Sequence, residues 1–239
     1  MWRLAYRVLF CFVWLFLASV AGIVMALFRP RDPNIPSEIA QAYHRWPLRV
    51  LGIQWDRRGF EKMVRPSVIV GNHQHTLDVF VMATMVPPRT IAVGKKQVLW
   101  IPVFGPLFVM TGNLLIDRKN QERAFETLRR AAQKIREQQL SVWLFPEGTR
   151  QWGKGLGPFK KGAFHLAIEA QVPIQPVVSS SFARSLDLRR AQSARIRLEA
   201  LEPIPTLGMT GADVDQLIAT TWTRMKSAID SLDRELTQS

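Results

Sequence analysis

The hydrophobic positions of this chain fall into two regimes. Residues 8–28 form one unbroken apolar run, VLFCFVWLFLASVAGIVMALF, without a charged residue. A helix of about 20 such residues, rising about 1.5 Å each, is long enough for the hydrocarbon core of a bilayer. Arg3 and Arg7 precede the run, and Arg29 and Arg31 follow it. A cleaved signal peptide ending near VMA is the competing reading, but its apolar core is usually about 7–15 residues. The pattern predicts an N-terminal hydrophobic membrane-anchoring helical segment.

Beyond residue 65 short apolar runs alternate with helical periodicity. SVIVGN (67–72) reads as a buried strand, TIAVG (90–94), NLLIDR (113–118) and SVWLFPEG (141–148) as further strands, and IQPVVSS and RIRLEAL as later ones. TLDVFVMATMV (76–86) fits a helix. QERAFETLRRAAQKIREQQ sets Phe125, Leu128, Ala131, Ala132 and Ile135 on one face, with charges opposite. KKGAFHLAIEAQ reads as a third helix. The tail through Val214, Leu217, Ile218, Trp222, Met225, Ile229, Leu232 and Leu236 reads as an amphipathic fourth. Strands alternating with helices predict an α/β fold, a mostly parallel sheet flanked by helices. The expected division is 1–60 as anchor and interfacial segment and 61–239 as catalytic domain.

Charge narrows the partners. The 239 residues carry a formal net charge of +13 and a pI near 10.8, which favours a polyanion. With an apolar anchor beside the basic region, lipid phosphate is a simpler partner than nucleic acid. EIAQAYHRWPLRVLGIQWDRRGF interleaves Tyr43, Trp46 and Trp55 with Arg45, Arg49, Arg57 and Arg58. It reads either as an amphipathic segment on an anionic membrane surface or as a packed helix with its basic face in water. The single cysteine, Cys11, excludes an internal disulfide framework and any cysteine-rich zinc module.

Candidate chemistry gathers where strands end, the usual place for ligand sites in parallel sheets. VGNHQHTLDVF puts His73, His75 and Asp78 behind an apolar strand. Three readings compete: a metal site, a general base with its carboxylate, or a solvated turn. H-x-H-x-x-D has metal-ligand character, but the other histidines are only His44 and His165. A neutral imidazole oriented by a carboxylate takes a proton near pH 7. Positions three apart on a helix favour His75 as partner of Asp78; His73 serves only if it stands in a turn before the helix. No G-x-S-x-G is present, so no covalent nucleophile is evident. A His–Asp pair without one suits direct attack by a substrate hydroxyl on an activated electrophile such as a thioester. Lys95 and Lys96, Arg118, and Gly148, Thr149 and Arg150 at other strand ends are suited to phosphate oxygens.

Four blocks in order carry a resemblance: NHQHTLD, GNLLIDR, FPEGTR and VPIQPVV. The first resembles the H-x-x-x-x-D block of the glycerolipid acyltransferase family, and the others its second, third and fourth. The similarity is greatest to the bacterial 1-acyl-sn-glycerol-3-phosphate acyltransferases. The resemblance implies a glycerol-3-phosphate acyltransferase-like fold, with His73 as base, Asp78 as its partner and His75 at a variable position. It implies that Lys95, Arg118, Glu147, Gly148, Thr149 and Arg150 hold the phosphate and glycerol of the acceptor. VLWIPVFGPLFVM would shape the path of the acyl chain, or simply pack the core.

The expected reaction moves a fatty acyl group to the sn-2 hydroxyl of lysophosphatidic acid, giving phosphatidic acid. Acyl-CoA or acyl-acyl carrier protein is the co-substrate, with no resident cofactor and no metal. Expected partners are the lysolipid, the donor and anionic membrane lipids, and no nucleic acid. The expected location is the bacterial inner membrane, with the catalytic domain facing the cytoplasm. The alternatives are another lysophospholipid or glycerol 3-phosphate as acceptor, a metal-dependent phospholipid hydrolase, or a non-enzymatic membrane binder.

Overall fold

In a computed structural model that describes residues 2–30, 32–117 and 121–238, the apolar runs beyond residue 50 join one sheet. Its strands are β1 (Ile53–Arg58), β2 (Val68–Gly71), β3 (Thr90–Lys95), β4 (Leu114–Ile116), β5 (Ser141–Leu144), β6 (Ile174–Ser179) and β7 (Ala194–Ala200). They lie side by side in the order β1-β7-β6-β2-β5-β3-β4. Every neighbouring pair is parallel except β6–β7. The helices are α1 (Trp2–Phe28), α2 (Ile35–Val50), α3 (Asp78–Val81), α4 (Phe104–Met110), α5 (Gln121–Gln138), α6 (Gly162–Ala170) and α7 (Val214–Thr237).

Alternation along each strand sorts the core into two layers. Val68 and Val70 of β2, with Val142 and Leu144 of β5, point to the face covered by α5, α6 and α7. Ile69 and Trp143 point to the opposite face, covered by α1, α2, α3 and α4. With both faces buried, the central strands are continuously apolar, which is why they are legible in the sequence.

Three expectations change. The sheet begins at Ile53, so the expected boundary at residue 60 falls inside the fold. IQWDRR, placed in the interfacial segment, is the edge strand β1; only Ile53 in it is buried, and water reaches most of the rest. The preceding segment is a helix, α2, with one face packed on the fold. Ile35, Ile39, Tyr43 and Leu48 of α2 are buried, while Arg49 stacks over the outward Trp46 ring at 5.4 Å. Finally, the helix expected over 76–86 is only α3 plus a 3-10 turn (Met82–Met85). Pro87 follows, and the residue before a proline is driven to extended backbone, as Val86 is at ψ 111°.

The apolar N-terminal run is α1, with a mean hydropathy of 2.6 over its most apolar stretch, long enough to cross a membrane. Trp2, Leu9, Phe12 and Phe28 point outward. The inner side packs on α2: Ser19 Oγ lies 2.9 Å from the Tyr43 hydroxyl, and Trp14 donates to Ala42 O. Arg7 is no flanking surface charge. Its buried guanidinium donates to the carbonyls of Val50, Leu188, Arg190 and Ala191 and to Ser193 Oγ, at 2.7–2.9 Å. Gly52, at φ +68°, leaves room for it: a Cβ there would lie 2.5 Å from Arg7 Nη2.

Candidate active site

β2 ends at Gly71, and α3 begins at Asp78. Both histidines therefore stand in the turn before the helix, the arrangement in which His73 can reach Asp78. His73 Nδ1 lies 2.6 Å from Asp78 Oδ2. The same oxygen accepts the backbone N–H groups of Gln74 at 2.7 Å and His75 at 3.0 Å. Acceptance by the carboxylate places the ring proton on Nδ1 and the lone pair on Nε2. Asp78 is 1% exposed, and the His73 side chain is 19% exposed. One carboxylate thus both folds the turn and orients the imidazole.

His75 does other work. Its Nδ1 accepts the N–H of Leu77 at 3.2 Å, and its ring meets Trp152 and Phe182 edge-on at 5.1 and 6.2 Å. Burial, reinforced by Arg150 and opposed by Asp78, holds its pKa below the usual histidine value. Among the described residues no group of three His, Cys, Asp or Glu side chains is placed to hold a metal ion.

Residues that the motifs did not single out fix the turn. The Asn72 side chain donates to Ser179 O at 3.0 Å and accepts from Ser179 N–H at 2.9 Å, as a strand neighbour would. Gln74, also buried, donates to Ser179 and Ser180 and accepts from Phe182 N–H. Phe145 stacks on the His73 ring, with centroids 4.2 Å apart and planes 17° apart. The carbonyls of His73 and Gln74 accept the N–H groups of Gln151 and Trp152. The signal available in the sequence was the polar pair Asn72 and Gln74 directly behind a fully buried strand, since buried polar groups need partners.

The expected anion-binding residues separate. Glu147 is 3% exposed, and its oxygens accept the N–H groups of His73 at 2.6 Å and Gly157 at 2.9 Å. That geometry joins the His73 turn to the FPEGTR turn through both carboxylate oxygens. Burial raises its pKa, opposed by those two N–H donors. Gly148, at φ +71°, makes the sharp bend, with its N–H on Phe145 O. Thr149 and Arg150 are exposed, and Arg150 stands over the Trp152 ring at 5.9 Å. Lys95 ends β3 beside Ile116 of β4, two strands from β2 on the same carboxyl edge, roughly 10 Å across the sheet. Lys96 pairs with Asp117 at 3.5 Å. Arg118 lies outside the described residues.

Two spaces meet at Phe145. On the α2–α4 side is an apolar cavity of about 170 Å³, walled by Tyr43, Met82, Ala92, Phe104, Leu107 and Phe108, with Asp78 also in its lining. The stretch expected to shape an acyl path supplies three of those walls. On the α5–α6 side an open cleft of about 720 Å³ is lined by Phe145, Pro146, Gly148, Lys160, Lys161 and His165. Phe145, on which the imidazole stacks, thus lines both an apolar cavity and an open cleft that carries two lysines.

The Acyltransferase family model matches residues 56–180. The chain is 39% identical over 232 residues to a 1-acyl-sn-glycerol-3-phosphate acyltransferase of Haemophilus influenzae, covering 97% of this chain and 95% of that protein. It is 36% identical over 234 residues to the protein of the same name from Escherichia coli, covering 98% and 96%. Its fold matches the crystal structure of the 1-acyl-sn-glycerophosphate (LPA) acyltransferase PlsC from Thermotoga maritima with a TM-score of 0.77. That match is 19% identical in sequence and covers 96% of this chain and 94% of that one.

Proposed function

This chain belongs to the 1-acyl-sn-glycerol-3-phosphate acyltransferases of the wider Acyltransferase family, and from that membership we propose that it makes phosphatidic acid from lysophosphatidic acid at a membrane. The acceptor's sn-2 hydroxyl gives its proton to His73 Nε2 as its oxygen attacks the carbonyl of a donor thioester. The carbon–sulfur bond then breaks, and the departing thiolate takes the proton from the imidazolium. Asp78 holds the ring through Nδ1 and stabilises its charged form, the ordinary logic of an oriented general base. No resident cofactor is invoked, because the thioester arrives activated.

The single observation that carries this reading is the His73–Asp78 pair, stacked on a Phe145 ring that lines both an apolar cavity and a lysine-bearing cleft. The apolar cavity suits the donor's acyl chain, and the cationic edge suits a phosphorylated acceptor. Lys95, Gly148, Thr149 and Arg150, with Arg118, remain the residues proposed to hold that phosphate. Holding both reactants converts an encounter into a positioned reaction. The outward apolar side of α1 and the net charge of +13 support residence on an anionic bilayer. Acyl-CoA or acyl-acyl carrier protein as donor places the catalytic side in the cytoplasm, at the bacterial inner membrane.

The test is an assay of the purified full chain with both donor types and a panel of acceptors: lysophosphatidic acid, lysophospholipids with larger headgroups, and glycerol 3-phosphate. Preference for lysophosphatidic acid supports the proposal. Preference for glycerol 3-phosphate, or hydrolysis without transfer, overturns it.

A further inference from the structure

A cation that no motif singled out lies across the FPEGTR turn. A methyl group added to Gly148 would meet Lys160 Cε at 2.9 Å, Cδ at 3.0 Å and Nζ at 3.2 Å. The Lys160 stem therefore covers that glycine. Its backbone is fixed there too, since its N–H donates to Pro146 O at 2.8 Å. The neighbouring Lys161 has its charge met by Asp215 at 2.7 Å. Lys160 pairs with no carboxylate among the described residues, and it lines the 720 Å³ cleft that Phe145 and Gly148 also line.

The turn beneath that ammonium offers more donors. The backbone N–H groups of Thr149 and Arg150 meet no acceptor among the described residues, and both residues are exposed. Gly148, in left-handed backbone, ends one side of the turn, and successive N–H groups around such a bend form a concavity suited to an anion. The charge has little to do with folding, because the bend is already closed by Gly148 N–H to Phe145 O and Glu147 to Gly157. An ammonium without a carboxylate partner, beside a turn that carries two unused N–H groups, matches a phosphate monoester: several oxygens, two negative charges, no shape requirement beyond the donors.

We propose that Lys160 binds the acceptor's phosphate, from the α5–α6 side of the sheet, so that the acceptor reaches His73 from the compartment opposite the acyl cavity. This deepens the acyltransferase reading and rests on it for the identity of the acceptor. The two reactants then approach the imidazole from opposite faces of the sheet, with Phe145 as the partition. A point-charge ammonium on a flexible stem also tolerates a phosphate that must shift as the acceptor's glycerol turns.

The experiment compares wild type with Lys160→Gln, Lys160→Arg and the distant control Lys62→Gln, in two measurements. Steady-state kinetics are read for each reactant separately. Direct binding of lysophosphatidic acid and of inorganic phosphate is read on the His73→Ala background, which needs no turnover. Lys160→Gln is expected to raise the acceptor KM about tenfold or more, leave the donor KM unchanged and keep kcat within about threefold. Lys160→Arg should restore most of the acceptor KM, and Lys62→Gln should resemble wild type. Weaker lysolipid binding on the His73→Ala background should accompany the KM change. A rise in donor KM instead, or unchanged acceptor KM and unchanged binding, overturns the assignment. Loss of kcat alone, equal for Gln and Arg, also overturns it, because it marks a structural role. Binding that depends on Lys160 in a protein that transfers no acyl group would retain the phosphate site and refute the reaction.

Discussion

Glu147 reaches back across 74 residues of sequence to accept the backbone N–H of His73 at 2.6 Å, and its second oxygen accepts that of Gly157. A glutamine in its place keeps one acceptor and turns an N–H₂ group toward the other N–H. Glu147→Gln should therefore leave a buried donor unpaired and cost about 1–3 kcal/mol, read as a Tm lowered by several degrees. Because Glu147 clamps the turn, kcat should fall while the acceptor KM changes little. A large rise in acceptor KM with an unchanged Tm would restore Glu147 to the substrate.

His73→Ala should keep the fold and membrane attachment and lose about 10²–10⁴-fold in rate, the range expected of a general base. The His75→Asn variant should stay within about tenfold of wild type, since an asparagine oxygen can take over acceptance from Leu77 N–H. An inactive His75→Asn protein beside an active His73→Ala protein would exchange their roles.

Stability in mild acid should report on His75. Burial depresses its folded pKa below the usual 6.5, so its neutral form contributes stability that is present above about pH 6.5. That contribution is lost as the pH falls through the lowered folded value, because the unfolded chain binds the proton first. Thermal unfolding at pH 7.5 and pH 5.5 should show a smaller acid loss for His75→Asn than for wild type. An equal or larger loss would show that the histidine titrates freely in the folded protein.

The sequence was most legible where both faces of an element are buried. β2, β5 and β6 are fully covered, so their apolar runs stand out. β1 escaped because it is an edge strand with Asp56, Arg57 and Arg58 largely in water, and those charges resemble an interfacial helix as much as a strand. Nothing local could show that β7 runs antiparallel to β6, since direction is set by the connection and not by composition. At the site, the pairing of His73 with Asp78 hinges on where α3 starts, and spacing alone left that open. Glu147 illustrates the remaining limit: its partners His73 N–H and Gly157 N–H lie 74 and 10 residues away, where no local signal shows them.

The apolar cavity predicts a chain-length effect. Ala92 forms part of its wall beside Phe108 and Trp143. Ala92→Leu adds bulk to a space of about 170 Å³. The ratio of kcat/KM for long over short acyl donors should fall severalfold, with the acceptor KM unchanged. An identical donor profile would mean that the acyl chain lies elsewhere and the cavity is only a packing gap.

Arg7 makes α1 part of the folded unit and not a detachable anchor. It ties the start of α1 to the end of α2 and to the loop before β7 by donating to four backbone carbonyls and a serine. Arg7→Leu suits the apolar helix by composition, so a simple anchor would tolerate it. Here it would leave those carbonyls facing a leucine. Each hydrogen bond from a charged donor is worth about 1.5–3 kcal/mol at most, and water entering the gap would replace several of them. A net loss of about 2–4 kcal/mol is therefore expected, with residues 186–193 becoming sensitive to protease while the protein still sediments with membranes. Arg7→Lys should fall between, because one ammonium carries three donors where the guanidinium uses all of its nitrogens. Unchanged Tm and protease resistance in Arg7→Leu would return α1 to the status of a tether.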